Sequence, residues 1–373
     1  MRIPLAQPEI PASDIEAVVR VLRTPHLAMG PALAEFEQAI ARYIGSPHAV
    51  AVNSGTSALH LAMRCLNLKE GDEVIAPSFA FAAIANVLLQ ERLTPAFVDI
   101  DPRTLNITPA SVEAAIGPRT RAVLVVHTFG YPAEIDTIRE ITRRHKLALI
   151  EDACEALGAE VREKRVGTFG DAATFAFYPN KQITTGEGGV LVTRDPAVAR
   201  RATVLRSQAK DPSLDWAEQH TEIGYSYRIA DINCALGTAQ LSRMDSVVEQ
   251  RQNIAASYEA RLQSLPAILP PQSTCPHGRI SWFAYVVQLA EDFTRKDRDR
   301  VWQSLLDRGI GAGRYFAPLH NQPVLQERSR QSGSLAVTES VASRVLALPF
   351  FVGLTEDQID EVCACLLRLL TPT

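Results

Sequence analysis

The stretch Arg121 to Asp152, "RAVLVVHTFGYPAEIDTIREITRRHKLALIED", sets two apolar β-type runs on either side of one amphipathic run. "RAVLVV" and "LALIE" are short, aliphatic and bounded by polar residues, as strands buried on both faces are. Between them, Asp136 to His145 spaces its apolar residues three and four apart, the period of a helix with one buried stripe. Strand, crossover helix and strand make the unit of a parallel sheet.

The same texture extends from about residue 47 to 195, where "AVAVN", "DEVIA", "PAFVDI", "ATFAF" and "GVLVT" add strand-like runs and Ser57 to Leu66 reads as a further crossover helix. The chain is therefore expected to fold as α/β around a mainly parallel sheet. After about residue 230 the pattern changes to one long helical stretch, "INCALGTAQLSRMDSVVEQRQNIAASYEARLQSL", which ends at the loop "PAILPPQSTCPHGR". A second domain is expected to begin along this helix, with "WFAYVVQLA" as a strand, Arg298 to Arg308 as a helix and a last helix from about Glu356 to Leu370.

With 373 residues, 46% of them hydrophobic and 21% charged, the chain can bury cores for two domains. A net charge of -4 with no Lys/Arg-rich run gives no reason to expect nucleic acid as a partner. "MRIPLAQPEIPASD" has no apolar signal core, and the longest apolar stretch, Phe79 to Leu89, is interrupted by Asn86 and too short to span a bilayer. A cytoplasmic protein without a membrane partner is the expectation. Six cysteines are scattered without CxxC spacing, so structural thiols are expected rather than zinc or disulfides; Cys363 and Cys365, two apart on a helix, should point to different faces.

Ligands of an open α/β sheet bind outside the carboxyl ends of its strands, and three polar groups fall there. In "AVAVNSGTSALH" a strand ends at Asn53 and Gly55, Thr56 and Ser57 open a helix, whose free N–H groups suit a phosphate; alone, the string also reads as an ordinary N-cap. In "LALIEDACEALGA" a strand runs into Glu151 and Asp152, where a carboxylate can keep a ring nitrogen protonated. Asp152 also reads as an N-cap or a metal ligand, but no partner has metal spacing and no metal is expected.

The third group lies in "FAFYPNKQITTGEGGVLVT", Phe175 to Thr193, where Lys181 follows an aromatic strand and precedes glycines that permit close backbone approach and positive φ. A lysine is usually a solvated surface residue, but such surroundings can make its amine a nucleophile toward a carbonyl. An anion cradle, a carboxylate for a ring nitrogen and an amine for an aldehyde are together complementary to pyridoxal phosphate. Phe81, in "PSFAFAAIAN", can stack on the ring or lie in the core. The sequence holds no GxxxxGK[ST], GxGxxG after a strand, GxSxG or HExxH.

At these residues the chain resembles the DegT/DnrJ/EryC1/StrS family of sugar aminotransferases. The resemblance covers nearly the whole length and includes "GPALAEFEQAIARYIG", "VVHTFGYPAEID", "IGYSYRIADINCALGTAQL" and "RYFAPLHNQP" in order. It implies fold type I of pyridoxal-phosphate enzymes: a large three-layer α/β/α domain with a mainly parallel seven-stranded sheet over residues 1–245, and a smaller C-terminal α+β domain over 246–373 on which the N-terminal segment can pack. By the same resemblance Lys181 is the covalent anchor of the cofactor and shuttles protons, Asp152 pairs with the pyridine nitrogen, Gly55 and Thr56 hold the phosphate, and Phe81 stacks on the ring. Glu155 falls where relatives carry Gln or His beside the ring hydroxyl.

Two positions depart from the family pattern. Ala176 stands where many relatives have a phosphate-binding serine, and Ser226, in "GYSYR", stands where an asparagine reaches the phosphate from the neighbouring subunit. Easier loss of cofactor is the expected consequence.

The implied reaction moves an amino group, from glutamate as donor, to the keto group of a nucleotide-linked sugar, in amino-sugar, polysaccharide or secondary-metabolite synthesis. A homodimer with shared active sites is implied as well. Arg228 and Arg314 are candidates for binding carboxylate or diphosphate, and equally for ion pairs; His320 and His26 are candidate substrate contacts or loop residues. The alternatives are a non-nucleotide ketone such as a cyclitol, or a regulatory protein that binds the cofactor without turnover. Dehydration of a deoxysugar is disfavoured, since relatives that dehydrate replace the cofactor lysine.

Overall fold

The computed structural model describes residues 1–371 apart from 216, 219 and 221. The strand-like runs form β1 (His48–Val52), β2 (Glu73–Pro77), β3 (Thr94–Val98), β4 (Thr120–Val126), β5 (Ala148–Asp152), β8 (Ala172–Ala176) and β9 (Gly189–Thr193), with the short strands β6 (Glu160–Val161) and β7 (Lys164–Arg165) between β5 and β8. Later in the chain come β10 (Ile268–Leu269), β11 (Gly278–Arg279), β12 (Tyr285–Leu289), β13 (Arg330–Gln331) and β14 (Val345–Leu348). The central sheet has the order β1-β9-β8-β5-β4-β2-β3-β13. Neighbours pair in parallel except at β9, which runs antiparallel to both β1 and β8.

That sheet has eight strands rather than seven. The eighth, β13, pairs Arg330 with Ala96 and Gln331 with Phe97, and a two-residue strand shows no period from which it could be read.

Helices α1 (Ala12–Leu22), α2 (Pro31–Ile44), α3 (Gly55–Cys65), α4 (Ala83–Gln90), α5 (Pro109–Ala115), α6 (Ile135–His145) and α7 (Pro196–Arg206) accompany this sheet. Strand alternation feeds two cores. Val123 and Val125 face one side with Phe36, Ile40, Ile138 and Ile141, while Leu124 and Val126 face the other with Leu59, Leu61, Ile84 and Leu88. Side chains as large as Phe36 and Phe175 are fully buried, each worth about 1.5–3 kcal/mol in removal from water.

Past residue 230 lie α8 (Asp231–Leu241), α9 (Met244–Leu262), α10 (Arg295–Asp307), α11 (Ala336–Arg344) and α12 (Glu356–Leu370). The single long helix expected from Ile232 is thus two, broken at Ser242 and Arg243. Arg243 leaves helical geometry (φ -117°, ψ 17°), and its guanidinium pairs with the buried Asp14 of α1 at 2.9 Å. The break lets α8 lie on α1 and α2, where the Asp231 carboxylate accepts the Gly30 and Ala32 N–H groups at 2.8 and 3.0 Å and so caps α2. Helix α9 instead enters a third core with β10, β12, β14, α10 and α12. The strand expected from Trp282 starts only at Tyr285, because Trp282 adopts φ +52°.

Ile3 joins this third core and forms a parallel bridge with Ile310, whereas Leu319, Leu325 and Leu335 return to the core on the central sheet. All six cysteines are free, and Cys363 and Cys365 are both buried in the third core. Among the described residues no helix is long and apolar enough to cross a membrane.

One contact fixes where α3 begins. A Cβ at Gly189, the first residue of β9, would lie 2.3 Å from the Ser54 carbonyl oxygen and 2.6 Å from the Gly55 nitrogen. Both are main-chain atoms and cannot rotate away. Gly189→Ala is therefore expected to lower the unfolding free energy by about 1–3 kcal/mol in a denaturant titration; an unchanged midpoint would show that the start of α3 yields freely.

Candidate active site

A cavity of about 560 Å³ opens where β4, β5 and β8 end and α3 begins. Strand alternation decides what β5 delivers to it. Glu151 points inward and is fully buried; Asp152, the next residue, lines the cavity. The Glu151 carboxylate accepts the N–H groups of Gly167, Phe169 and Gly170 at 2.7–2.8 Å and is 3.2 Å from His127 Nε2. Because His127 Nδ1 accepts the Ala133 N–H, Nε2 carries the proton and donates. Burial alone would raise the Glu151 pKa, but these donors outweigh it and hold the carboxyl below its ordinary value. Asp152 Oδ1 accepts the Cys154 N–H at 3.0 Å. Burial pushes the Cys154 thiol well up, so it stays protonated.

Lys181 sits in the loop between β8 and β9, with its side chain 13% exposed. Its Nζ lies 3.6 Å from Glu155 Oε1 and 4.0 Å from the centre of the Phe283 ring. The other carboxylate oxygen of Glu155 accepts the Phe129 N–H at 3.0 Å. Burial nevertheless raises the Glu155 pKa, more than the Lys181 ammonium and this N–H lower it.

At the opposite side, Ser54 caps α3 by accepting the Ser57 N–H at 3.0 Å, while Ser57 Oγ donates to Asn53 Oδ1 at 2.8 Å. The N–H groups of Gly55 and Thr56, in the first turn, have no intrahelical partner. A Cβ on Gly55 would stand 2.6 Å from that of Ala176, so the helix start rests directly on the end of β8. Phe81 belongs to the cavity and not to the core: the residue is 64% exposed and lines the cavity wall.

The remaining expected residues stand elsewhere. Ser226 is exposed and accepts from Arg228 Nη2 at 2.9 Å; neither lines the cavity, although Asn53 donates from its main chain to the Tyr227 carbonyl at 2.9 Å and from Nδ2 to that of Ser226 at 3.4 Å. Arg314 is turned away: its guanidinium lies 3.8 Å over the Trp302 ring and pairs with Asp299 at 3.0 Å. His320 is buried between Ser78 Oγ (2.6 Å) and Glu339 Oε1 (3.2 Å), and is likewise absent from the cavity wall. Arg314 and His320 thus stand outside the cavity lining, each held by a nearer partner.

Sequence reading did not single out Tyr178, Asn180 or Phe283, all on the cavity wall, and it found Tyr315 and Phe316 only as part of "RYFAPLH", a segment of candidate substrate contacts. Asn180 adjoins Lys181 and could have been found by that adjacency; its Oδ1 is buried without a hydrogen-bond partner among the described residues. Tyr178 is likewise only three residues from Lys181, whereas Phe283, Tyr315 and Phe316 arrive from distant segments.

This arrangement fits pyridoxal phosphate. Lys181 offers an amine, Asp152 a carboxylate, the first turn of α3 two free donors, and Asn180 an unfilled acceptor, all around one cavity.

The DegT/DnrJ/EryC1/StrS aminotransferase family matches residues 8–367. GDP-perosamine synthase of Caulobacter vibrioides is 39% identical over 374 residues, which cover 99% of this chain and 98% of that protein. Among solved structures, the aminotransferase TlmJ of Streptoalloteichus hindustanus is 31% identical with a TM-score of 0.92, covering 99% of this chain and 98% of that one. DesV of S. venezuelae is 35% identical with a TM-score of 0.89, covering 97% and 95%. With a cavity that assembles Lys181, Asp152 and the start of α3, and with this match over nearly its whole length, the chain belongs to the DegT/DnrJ/EryC1/StrS aminotransferase family.

Proposed function

We propose that this aminotransferase carries an amino group from glutamate to the keto group of a nucleotide-linked sugar, with pyridoxal phosphate as its cofactor. The observation that carries the reading is the convergence of Lys181, Asp152 and the α3 N-terminus on one cavity. A nucleotide-linked acceptor is supported by the similarity to a protein named GDP-perosamine synthase. A place in amino-sugar or polysaccharide synthesis, and a cytoplasmic location, follow from such an acceptor.

Pyridoxal phosphate, when bound, supplies the carbonyl that takes up the amino group and a ring that stores the electron pair. Asp152 holds the ring nitrogen protonated by charge pairing. The Gly55 and Thr56 N–H groups, at the positive end of α3, bind the phosphate. Phe81 covers one ring face, and the aromatic wall excludes water. Lys181 Nζ would anchor the cofactor and, as a free amine, would take a proton from the donor carbon and return it at the neighbouring centre. Glu155 stands beside Nζ and, with its raised pKa, can hold a proton there.

The proposal includes a homodimer in which Ser226 and Arg228 serve the second copy's site; their position outside their own cavity supports it. It also includes a division into domains at about residue 245, with residues 319–341 returning to the large sheet.

Three outcomes test the reading. Wild type loaded with pyridoxal phosphate should lose its visible band on addition of glutamate, as the amine form of the cofactor grows, and Lys181→Ala should slow that exchange about 10²–10⁴-fold. A variant as fast as wild type would remove Lys181 from the chemistry. Ala176→Ser, placing a hydroxyl beside the start of α3, should retain cofactor longer on dialysis by about 1–3 kcal/mol in affinity; equal retention would dissociate Ala176 from phosphate binding.

The third outcome concerns pH. The Glu155 pKa is raised in the fold above its ordinary 4.5, so its carboxyl supports the fold while protonated, and that support is lost as pH rises through the folded value. Glu155→Gln keeps the shape without the charge. The cofactor-free variant should melt above wild type at about pH 8, with the gap closing toward about pH 4.5. A gap that widens on acidification would contradict the assignment.

A further inference from the structure

Arg251, on α9, is 3% exposed, and no carboxylate among the described residues pairs with it. Burial alone pulls its pKa down to about 10. A buried guanidinium without an anion is costly, and an apolar side chain of similar size would fill the same space. What an apolar residue could not do is collect main-chain oxygens. Nη1 donates to the Trp282 and Phe283 carbonyls at 3.1 and 3.2 Å, and Nη2 reaches the Lys181 carbonyl at 3.5 Å.

These partners matter because the Phe283 ring is the one on which Lys181 Nζ rests, at 4.0 Å. The Phe283 N–H donates to the Phe129 carbonyl at 2.9 Å, the Phe129 N–H donates to Glu155 Oε2 at 3.0 Å, and Glu155 Oε1 faces Nζ at 3.6 Å. The contacts close a circuit from the Lys181 main chain through Arg251, Phe283, Phe129 and Glu155 to the Lys181 amine.

We infer that Arg251 is a positioning residue for Lys181: its planar fork fixes the lysine main chain and the Phe283 platform under the amine relative to one another. The inference rests on the reading of Lys181 as the working amine of an aminotransferase. A lysine at 251 keeps the charge but not the fork, so it cannot hold both segments. The groups facing the Lys181 amine, for any pH effect, are Glu155, Asp152, the neutral Cys154 thiol and the Phe283 ring.

The test compares wild type with Arg251→Lys, Arg251→Gln and Phe283→Leu. Cofactor-free protein is mixed with pyridoxal phosphate across pH, and the midpoint of the capture rate is read. Loaded protein is mixed with glutamate at increasing concentration, and the limiting rate of loss of the visible band is read. In Arg251→Lys and Phe283→Leu the capture midpoint should fall by about half a pH unit, because the ammonium loses its aromatic face. The limiting rate should fall about tenfold in all three variants, with half-saturating glutamate changed less than about twofold.

If Arg251→Lys and Arg251→Gln lower only the melting temperature, with midpoint and limiting rate at wild-type values, the inference is overturned. Should the Arg251 variants not fold, Phe283→Leu decides, and a wild-type midpoint in it overturns the platform. Failure of wild type itself to respond to glutamate overturns the aminotransferase reading instead, while the capture measurement still tests the positioning.

Discussion

Glu151 carries a charge in the fully buried interior and meets it with three main-chain N–H groups, from Gly167, Phe169 and Gly170, and with His127. Such a charge persists only where donors replace water, and here they come from two places in the topology, one turn and the residue after β4. The 167–170 turn leads into β8, which pairs with β5 in register, Glu151 beside Ala173 and Asp152 beside Thr174. His127 follows β4, and its second nitrogen holds the Ala133 N–H. One carboxylate thus ties the ends of β4 and β5 to the turn that opens β8, and the cavity lies beyond, where β4, β5 and β8 end. The same strand places Asp152 one residue later on the cavity side.

Much of this was legible because it is local. Every strand-like run between residues 47 and 195 is a strand, since an aliphatic run bounded by polar residues has few other uses in a chain with this much apolar content. The glycines after Lys181 read correctly for the same reason: Gly186 takes φ +80°, and Gly189 lets two backbones touch. The last helix begins at Glu356 as expected, behind a capping box of Thr355 and Gln358. The break at Ser242 was not, because both segments keep a helical pattern and the cause is Asp14, more than two hundred residues away.

The site divides along the same line. Lys181, Asp152, Gly55 and Thr56 stand at the ends of strands that sequence can locate, so the rule that ligands bind at those ends finds them. Arg314 and His320 stand in loops, where a side chain's partner depends on what the fold brings near; for Arg314 that was Trp302 and Asp299, for His320 Ser78 and Glu339. Phe283 and Arg251 were invisible for the converse reason. Nothing in "WFAY" distinguishes a strand residue from a platform beside a lysine, and an arginine on a long polar helix looks solvated until the helix is seen to cross beneath the loop.

The segment from Tyr225 to Arg228 shows how the fold separates holding from presenting. Tyr225 and Tyr227 stack at 4.8 Å with their planes 8° apart, and the Tyr227 hydroxyl is 2.8 Å from Nδ1 of the buried His60, whose Nε2 is 2.6 Å from Glu91. Both tyrosines are therefore fixed to α3 and to the end of α4. In an extended segment the alternate residues must face the other way, and Ser226 and Arg228 do, joined to each other at 2.9 Å. The main chain of this strap is bonded to Asn53, immediately before the cap of α3. The segment that presents Ser226 and Arg228 is thus tied, through Asn53, to the helix terminus that offers its N–H groups to the cavity, although the two face different directions.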